Sequence, residues 1–422
     1  MSLQGPIVVI AGEVDGVLLQ ALESAGASPV LGTGWDKAAK LVARVVPSAI
    51  VVSRAAQPTD LRMLEKVAEV IAGFPLYTPV LACADLDVLG NMPGVLPMAA
   101  DAPCERIVAR LASALRVRTL YATVARRESM LPHEENAATD WPVGDPLDDA
   151  TVLVTGRGRS YPGLATAVGE RVGLIGALSV ETAARYLNAR DLDGIVIGEG
   201  FGPTTLEAFL TALSEDARFR DLPVALVPEP PHAVNLSNLA NLERLTGDPV
   251  AVVTAFLPLV RQHAFEARLK RELASLDAQG LIDPRTGLFT IPAFLNDLTQ
   301  TVADAQGQNA GLSLARFSFP AALDQRASLD AARIVSRLVR NVDFGCRAND
   351  GSILVAFSAT ELRHAHVIAR RIASVLRHTM LSPAADPGGQ VDASVTLAAL
   401  KHTDTVESLL ARVSGPEPVA AA

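Results

Sequence analysis

The 422-residue sequence predicts an α/β chain in two parts, a pair of doubly wound domains with parallel sheets followed by a smaller α+β domain. Three observations carry this expectation. Short β-branched apolar runs alternate with amphipathic segments up to about residue 260. Landmarks in that stretch recur at a nearly constant offset. Beyond residue 280 the order of elements changes.

The runs Ile7-Val8-Val9-Ile10, Ile50-Val51-Val52 and Pro79-Val80-Leu81-Ala82 are too short for helices and suit buried strands. Val17 to Ser24 and Leu61 to Ile71 carry helical periodicity between them. The pattern returns about 145 positions later: Ile195-Val196-Ile197 answers the third strand, Pro223-Val224 answers Pro79-Val80, and Asp248-Pro249 answers Ala102-Pro103. The expected organisation is therefore a first α/β domain at 4–125, a polar, proline-bearing linker at 126–149 and a second α/β domain at 150–262. A helix continuing over 263–279 reads as a stalk, with Leu269, Leu273 and Leu276 at four-then-three spacing. The third domain takes 280–415, and SGPEPVAAA at the end reads as a frayed tail.

Composition narrows the function. Apolar residues make up 49% and the formal net charge is -9, which suits a globular protein and disfavours non-specific nucleic-acid binding. Cys83, Cys104 and Cys346 are scattered, with neither disulfide nor zinc spacing, as expected in a reducing cytoplasm. No signal peptide is expected from the opening residues, and no apolar run reaches the roughly 18–20 residues that span a bilayer. A cytoplasmic protein without membrane insertion is the expectation. His364 and His366 lie two apart on an expected helix, so they face different ways and make no metal pair.

Ser53 closes the third strand of the first repeat, Ala11-Gly12 follow its first strand with Glu13 next, and Ala102 precedes Pro103. In the second repeat Gly198, Thr155-Gly156 and Asp248 take those places, with Glu199 one residue late. In order of elements the repeats resemble flavodoxin-like receiver domains of response regulators. That resemblance implies an acidic metal pair, a phosphoacceptor aspartate and a lysine at these positions, and all three are replaced. Phosphoacceptor chemistry needs a metal and a lysine to neutralise the transferred charge. Both repeats therefore read as folded scaffolds for dimerisation or docking.

Asp283-Pro284-Arg285-Thr286-Gly287-Leu288-Phe289 opens the third domain, and Arg340-Asn341-Val342-Asp343 precedes Asn349-Asp350-Gly351-Ser352-Ile353 and the strand Leu354-Val355-Ala356-Phe357. These stretches resemble the opening, RxxD and signature elements of GGDEF domains. The whole chain thus resembles PleD-like response regulators, receiver–receiver–GGDEF, and is closest in character to the PopA branch. The resemblance implies a diguanylate cyclase site with two metal carboxylates, one ending the first strand and one in the signature. Here Arg316 and Ser318 stand on that strand, Leu312 to Phe319, and the signature reads NDGSI. The loop after the strand is short and lacks an Asn/Asp pair for guanine. Asp350 is at best a slipped substitute beside an arginine, so no catalytic or metal residue is assigned.

The resemblance also implies an inhibitory cyclic di-GMP site at Arg340 and Asp343, with Arg371 as the supporting arginine and Arg370 as a weaker candidate. A guanidinium donates to guanine O6 and N7, and a carboxylate accepts from its N–H edge. Spacing gives the pair its weight, because Arg190 to Asp193 and Arg218 to Asp221 repeat RxxD and read as surface charges. The bland alternative makes Arg340 an ordinary helix C-terminal arginine and Asp343 a cap-region residue. The expectation is a homodimeric cyclic di-GMP effector without cofactor, an adaptor at the cell pole for regulated proteolysis. The rivals are a nucleotide-independent scaffold, a residual cyclase and an allosteric GTP binder.

Overall fold

The computed structural model describes residues 4–12, 16–55, 58–84, 92, 94–128, 144–228, 239–308, 311–319, 323–340, 342–377, 379 and 393–414. Glu13, most of the linker (129–143), residues 320–322 of the loop after the first strand of the third domain, and the tail from 415 lie outside the described residues. The chain divides into two compact units, Met1–Leu269 and Lys270–Ala422.

In the first unit, β1 (Gln4–Ile10), α1 (Gly16–Ser24), β2 (Ser28–Thr33), α2 (Trp35–Val45), β3 (Ala49–Ala55), α3 (Pro58–Ala72), β4 (Val80–Ala84), β5 (Val95–Met98) and α4 (Cys104–Glu128) build the first α/β layer set. The five strands are parallel, in the order β2-β1-β3-β4-β5. Alternation along each strand divides the apolar residues between two cores. The row Val8, Ile50, Val80 and Val95 faces the layer of α2 and α3, whereas Val9, Val51, Leu81 and Leu96 face α1 and α4. Each fully buried Val or Leu contributes about 1.5–3 kcal/mol relative to exposure.

The second set repeats this: β6 (Thr151–Thr155), α5 (Tyr161–Gly169), β7 (Gly173–Ala177), α6 (Val180–Ala189), β8 (Gly194–Ile197), α7 (Pro203–Glu215), β9 (Val224–Leu226), β10 (Leu242–Arg244) and α8 (Pro249–Asp277). Its sheet is parallel in the order β7-β6-β8-β9-β10, the equivalent of the first. Both are flavodoxin-like, as the repeat predicted.

The two sheets of this unit are joined through charge. Arg110 on α4 is fully buried and donates to Glu243 Oε1 and to the Pro97 carbonyl at 2.6 Å each, and to the Ala240 and Leu242 carbonyls at 3.1 and 3.2 Å. Such a pair holds only because its remaining donors are also satisfied. Arg116 pairs with Asp221 close by. The helix α8 serves both cores: Phe256 and Val260 pack with the second sheet, and Leu259 with the first. Of the leucines spaced along the expected stalk, Leu269 is fully buried, and Leu273 and Leu276 are half-buried.

One expectation for this unit is corrected. Arg190 and Asp193 are not surface charges: they are 9% and 8% exposed. Asp193 accepts from the Thr151 amide at 3.0 Å and lies 3.3 Å from His263 Nδ1, fastening the starts of β6 and β8 to α8. Arg218 is exposed as expected, whereas Asp221 is half-buried at the Arg116 contact.

The second unit contains α9 (Ile291–Gln308), β11 (Leu312–Ser318), α10 (Gln325–Leu338), β12 (Phe344–Arg347), β13 (Ile353–Ser358), α11 (Leu362–Arg377), β14 (Ser394–Ala399) and α12 (Val406–Ser414). Its sheet is antiparallel, in the order β12-β13-β11-β14. The row Phe344, Ala356, Leu314 and Ala398 packs on α9 and α12, and the adjoining row through Val355 and Ala315 packs on α10 and α11. This is the α+β domain the sequence predicted. Among the described residues no helix is long and apolar enough to cross a membrane.

Candidate nucleotide-binding site

Three motifs converge around β12. The segment Asp283–Phe289 folds as a tight turn: Asp283 Oδ1 accepts from the Arg285 amide at 2.9 Å, its Oδ2 from Thr286 Oγ1 at 2.7 Å, and its carbonyl from the Gly287 amide at 2.8 Å. Ser336 on α10 donates to the Gly287 carbonyl, and the Phe289 amide donates to the Gly345 carbonyl on β12. The carboxylate of Asp283 is consumed in this turn, so the motif carries structure.

The hairpin joining β12 to β13 spans 348–352. The Ala348 amide donates to the Ser352 carbonyl at 2.8 Å, and Gly351 adopts φ +82°, a left-handed turn conformation suited to glycine. Asp350 Oδ1 accepts from the Ser352 amide at 2.9 Å and from Ser352 Oγ at 2.6 Å, while Oδ2 pairs with Arg316 Nη2. Arg316 also donates from Nε to Ser352 Oγ at 3.2 Å and from Nη1 to the Ser414 carbonyl at 3.1 Å. Burial alone would raise the Asp350 carboxyl, but the bonds from Ser352 and Arg316 outweigh it and hold it below the usual carboxylate range. The donor set does not fit the divalent metal that the resemblance implies. One carboxylate is present, and a guanidinium already neutralises it. Among the described residues no group of three or more His, Cys, Asp or Glu could hold a metal ion.

The third motif lies at the other end of β12. The helix α10 ends at Leu338, and the Asp343 amide donates back to the Arg340 carbonyl at 3.0 Å, closing a turn. Arg340 is exposed, and no hydrogen bond or ion pair engages its guanidinium among the described residues. Asp343 is 7% exposed; its Oδ1 accepts from the Ser358 amide at 3.0 Å, and its Oδ2 has no partner. Burial raises the Asp343 carboxyl above its ordinary range, and the Ser358 amide and the Arg340 charge only partly oppose this. The Ser358 bond brings the turn to the start of α11, whose inner face is Ala365, Ala369, Ile372 and Leu376. Arg370 and Arg371 are exposed on that helix, Arg371 beside buried Ile372. The structure thus brings Arg340 and Asp343 into one turn, and Arg371 lies further along the chain on α11. His364 and His366 are both exposed on α11.

At the acidic-pair position of the second α/β repeat, Thr155 is fully buried and its Oγ1 has no hydrogen-bond partner among the described residues. In the same repeat, the Arg157 and Gly158 amides donate to the Glu199 carbonyl at 2.8 and 2.9 Å, and the Gly198 amide donates to the Thr155 carbonyl at 2.7 Å. The loops after β6 and β8 are thereby laced together. A Cβ on Gly200 would lie 2.8 Å from the Gly158 nitrogen, so the closure depends on glycine. Asp248, at the lysine position, caps α8 by accepting from the Val250 and Ala251 amides. Sequence reading missed this capping role, although Asp before Pro at a helix start signals it.

No protein-family model matches the chain, and no curated protein does. Among solved structures, the coiled coil and GGDEF domain of DgcB from Caulobacter crescentus, in complex with c-di-GMP, is 17% identical over 35% of this chain and 83% of that one, with a TM-score of 0.30. The diguanylate cyclase SiaD of Pseudomonas aeruginosa, in complex with its activator SiaC, is 19% identical over 35% of this chain, with a TM-score of 0.30, and the match spans 62% of the SiaD chain. The FimX GGDEF domain of Pseudomonas aeruginosa is 16% identical over 32% of this chain and 89% of that one, with a TM-score of 0.28. In each of the three the similarity covers about a third of the chain.

Proposed function

We propose that this chain is a cyclic di-GMP effector that binds the nucleotide at Arg340, Asp343 and Arg371 and does not synthesise it. The observation that carries the reading is the state of Asp343, a nearly buried carboxylate with one oxygen fixed by the Ser358 amide and the other unpartnered, beside an uncommitted Arg340. A buried carboxylate oxygen without a donor costs free energy, and the N–H edge of guanine would supply two donors. Arg340 and Arg371 would meet guanine O6 and N7 or the phosphates. The absence of synthesis is supported by the Arg316–Asp350 pair, which leaves no free carboxylate at the hairpin to recruit a metal.

In this reading the α/β repeats are cytoplasmic docking modules for protein partners, with dimerisation and recruitment to regulated proteolysis as their outputs. The α4–β10 contact already occupies one face of each repeat within the first unit. Partners and a second copy of the chain would therefore use other faces. Titration calorimetry of cyclic di-GMP into the full chain and into Arg340→Ala tests the proposal. Saturable binding in the parent, weakened at least about tenfold in the variant, is expected from losing one bidentate contact. Equal affinity in both, or no binding in the parent, refutes it.

A further inference from the structure

The hairpin 348–352 is held shut by a cation that belongs to the chain. Arg316 stands on β11, a central strand flanked by Leu354 of β13 and Thr396 of β14, so its backbone position is fixed from both sides. Its guanidinium reaches three residues in two elements: Asp350 and Ser352 in the hairpin, and Ser414, whose carbonyl ends α12. Those acceptors are a carboxylate, a hydroxyl and a backbone carbonyl. The last sits at the negative end of a helix whose final carbonyls have no intrahelical partners. All are oxygen donors of the kind that surround hard divalent cations in proteins. A divalent cation or a basic side chain could supply the charge for such a set, and here a side chain supplies it.

We propose that Arg316 is a built-in cation that substitutes for a divalent metal at this hairpin, making closure of the hairpin onto β11 and α12 independent of any ion. The guanidinium suits the task because its donors lie in a rigid planar fork and diverge toward separate acceptors. Its side chain is 21% exposed, against 50% for that of Asp350, so salt screens the pair only in part. The inference does not rest on the nucleotide reading, since Arg316 and the three proposed nucleotide ligands are different residues.

Two variants of the full chain test it, with magnesium chloride alone as the probe. In Arg316→Met the apolar stem is kept and the charge removed. Amide exchange at Ser352, whose N–H is held by Asp350 Oδ1, is expected to accelerate at least about tenfold. In Arg316→Asp a second carboxylate faces Asp350, and saturable protection of the hairpin by millimolar magnesium is expected, the weak range for a site of few charged ligands. The parent is expected to show no magnesium dependence at the hairpin. Unchanged Ser352 exchange in Arg316→Met overturns the proposal. So does magnesium-dependent protection in the parent, or a folded Arg316→Asp chain whose hairpin magnesium does not protect. Thermal unfolding of each variant separates local opening of the hairpin from global loss of fold.

Discussion

The hairpin 348–352 and the turn 340–343 flank the same short strand, β12, yet they handle charge in opposite ways. In the hairpin every charge is answered internally: Asp350 by Arg316 and Ser352, and Arg316 by Asp350, Ser352 and Ser414. In the turn, Arg340 has no hydrogen-bonding or ion-pair partner among the described residues, and one oxygen of Asp343 is buried without a donor. The difference teaches where each kind of residue acts. Charges closed on one another contribute to the fold, whereas a desolvated, half-satisfied carboxylate costs stability until something binds it. Residue types alone would rank the two alike, since each offers one arginine and one aspartate.

The largest expected effect breaks the comparison at the turn. Arg340→Ala should lower cyclic di-GMP affinity by about 1–3 kcal/mol, read by calorimetry, and leave the unfolding temperature of the chain unchanged. An exposed side chain without partners has little to give the fold. A large loss of stability in this variant would place Arg340 among the structural residues and erase the contrast.

The reverse experiment comes next. Arg316→Ala should leave nucleotide affinity as it is and destabilise the second unit by roughly 1–3 kcal/mol, because Asp350 and the Ser414 carbonyl lose a charged donor. Half of the Asp350 side chain is exposed, so water recovers part of the loss and the lower end of that range is expected. Chemical denaturation monitored at the second unit checks this. A smaller effect of the same kind follows for Gly351→Ala. Nothing lies near the missing Cβ, so only the left-handed backbone opposes the substitution, at about 1–2 kcal/mol, and nucleotide binding should not change.

Much of this contrast was open to sequence reading, and the remainder was hidden for physical reasons. The offset of about 145 positions foretold two equivalent parallel sheets, because the rows through Val8–Ile50–Val80 and Leu153–Ile195–Val224 are the same apolar pattern written twice. The spacing of Arg340 and Asp343 marked them, and the structure brings both into one turn. Spacing could not show that Arg316 reaches Ser414, since that contact joins residues 98 apart through the packing of α12 on β11. It could not separate Arg190 and Asp193 from true surface charges either. Asp193 is covered by α8, whose His263 returns to the start of β8. Sequence reading also missed that α8 serves two cores, although its run from Val250 to Val260 is apolar on nearly all sides.

The smallest effect is the most discriminating, because it sets stability against binding at a single atom. Burial raises the Asp343 carboxyl, so the folded chain takes up a proton there at a higher pH than the unfolded chain does. Stability from this group is therefore fully present below the ordinary carboxylate range and is lost as pH rises through the raised value. Asp343→Asn removes the buried charge and keeps an oxygen for the Ser358 amide, so the variant should be at least as stable as the parent at neutral pH, by up to about 1 kcal/mol. Guanine N–H donors favour the ionised carboxylate and must lower its pKa on binding. Cyclic di-GMP affinity should thus strengthen with rising pH across the titration of Asp343, with proton release, and Asp343→Asn should bind more weakly and lose that slope. Calorimetry in two buffers of different ionisation enthalpy measures the released protons. A parent that releases none, or an Asn variant that keeps the parent's slope, would mean that Asp343 is a structural carboxylate like Asp350 and that the two ends of β12 do not differ after all.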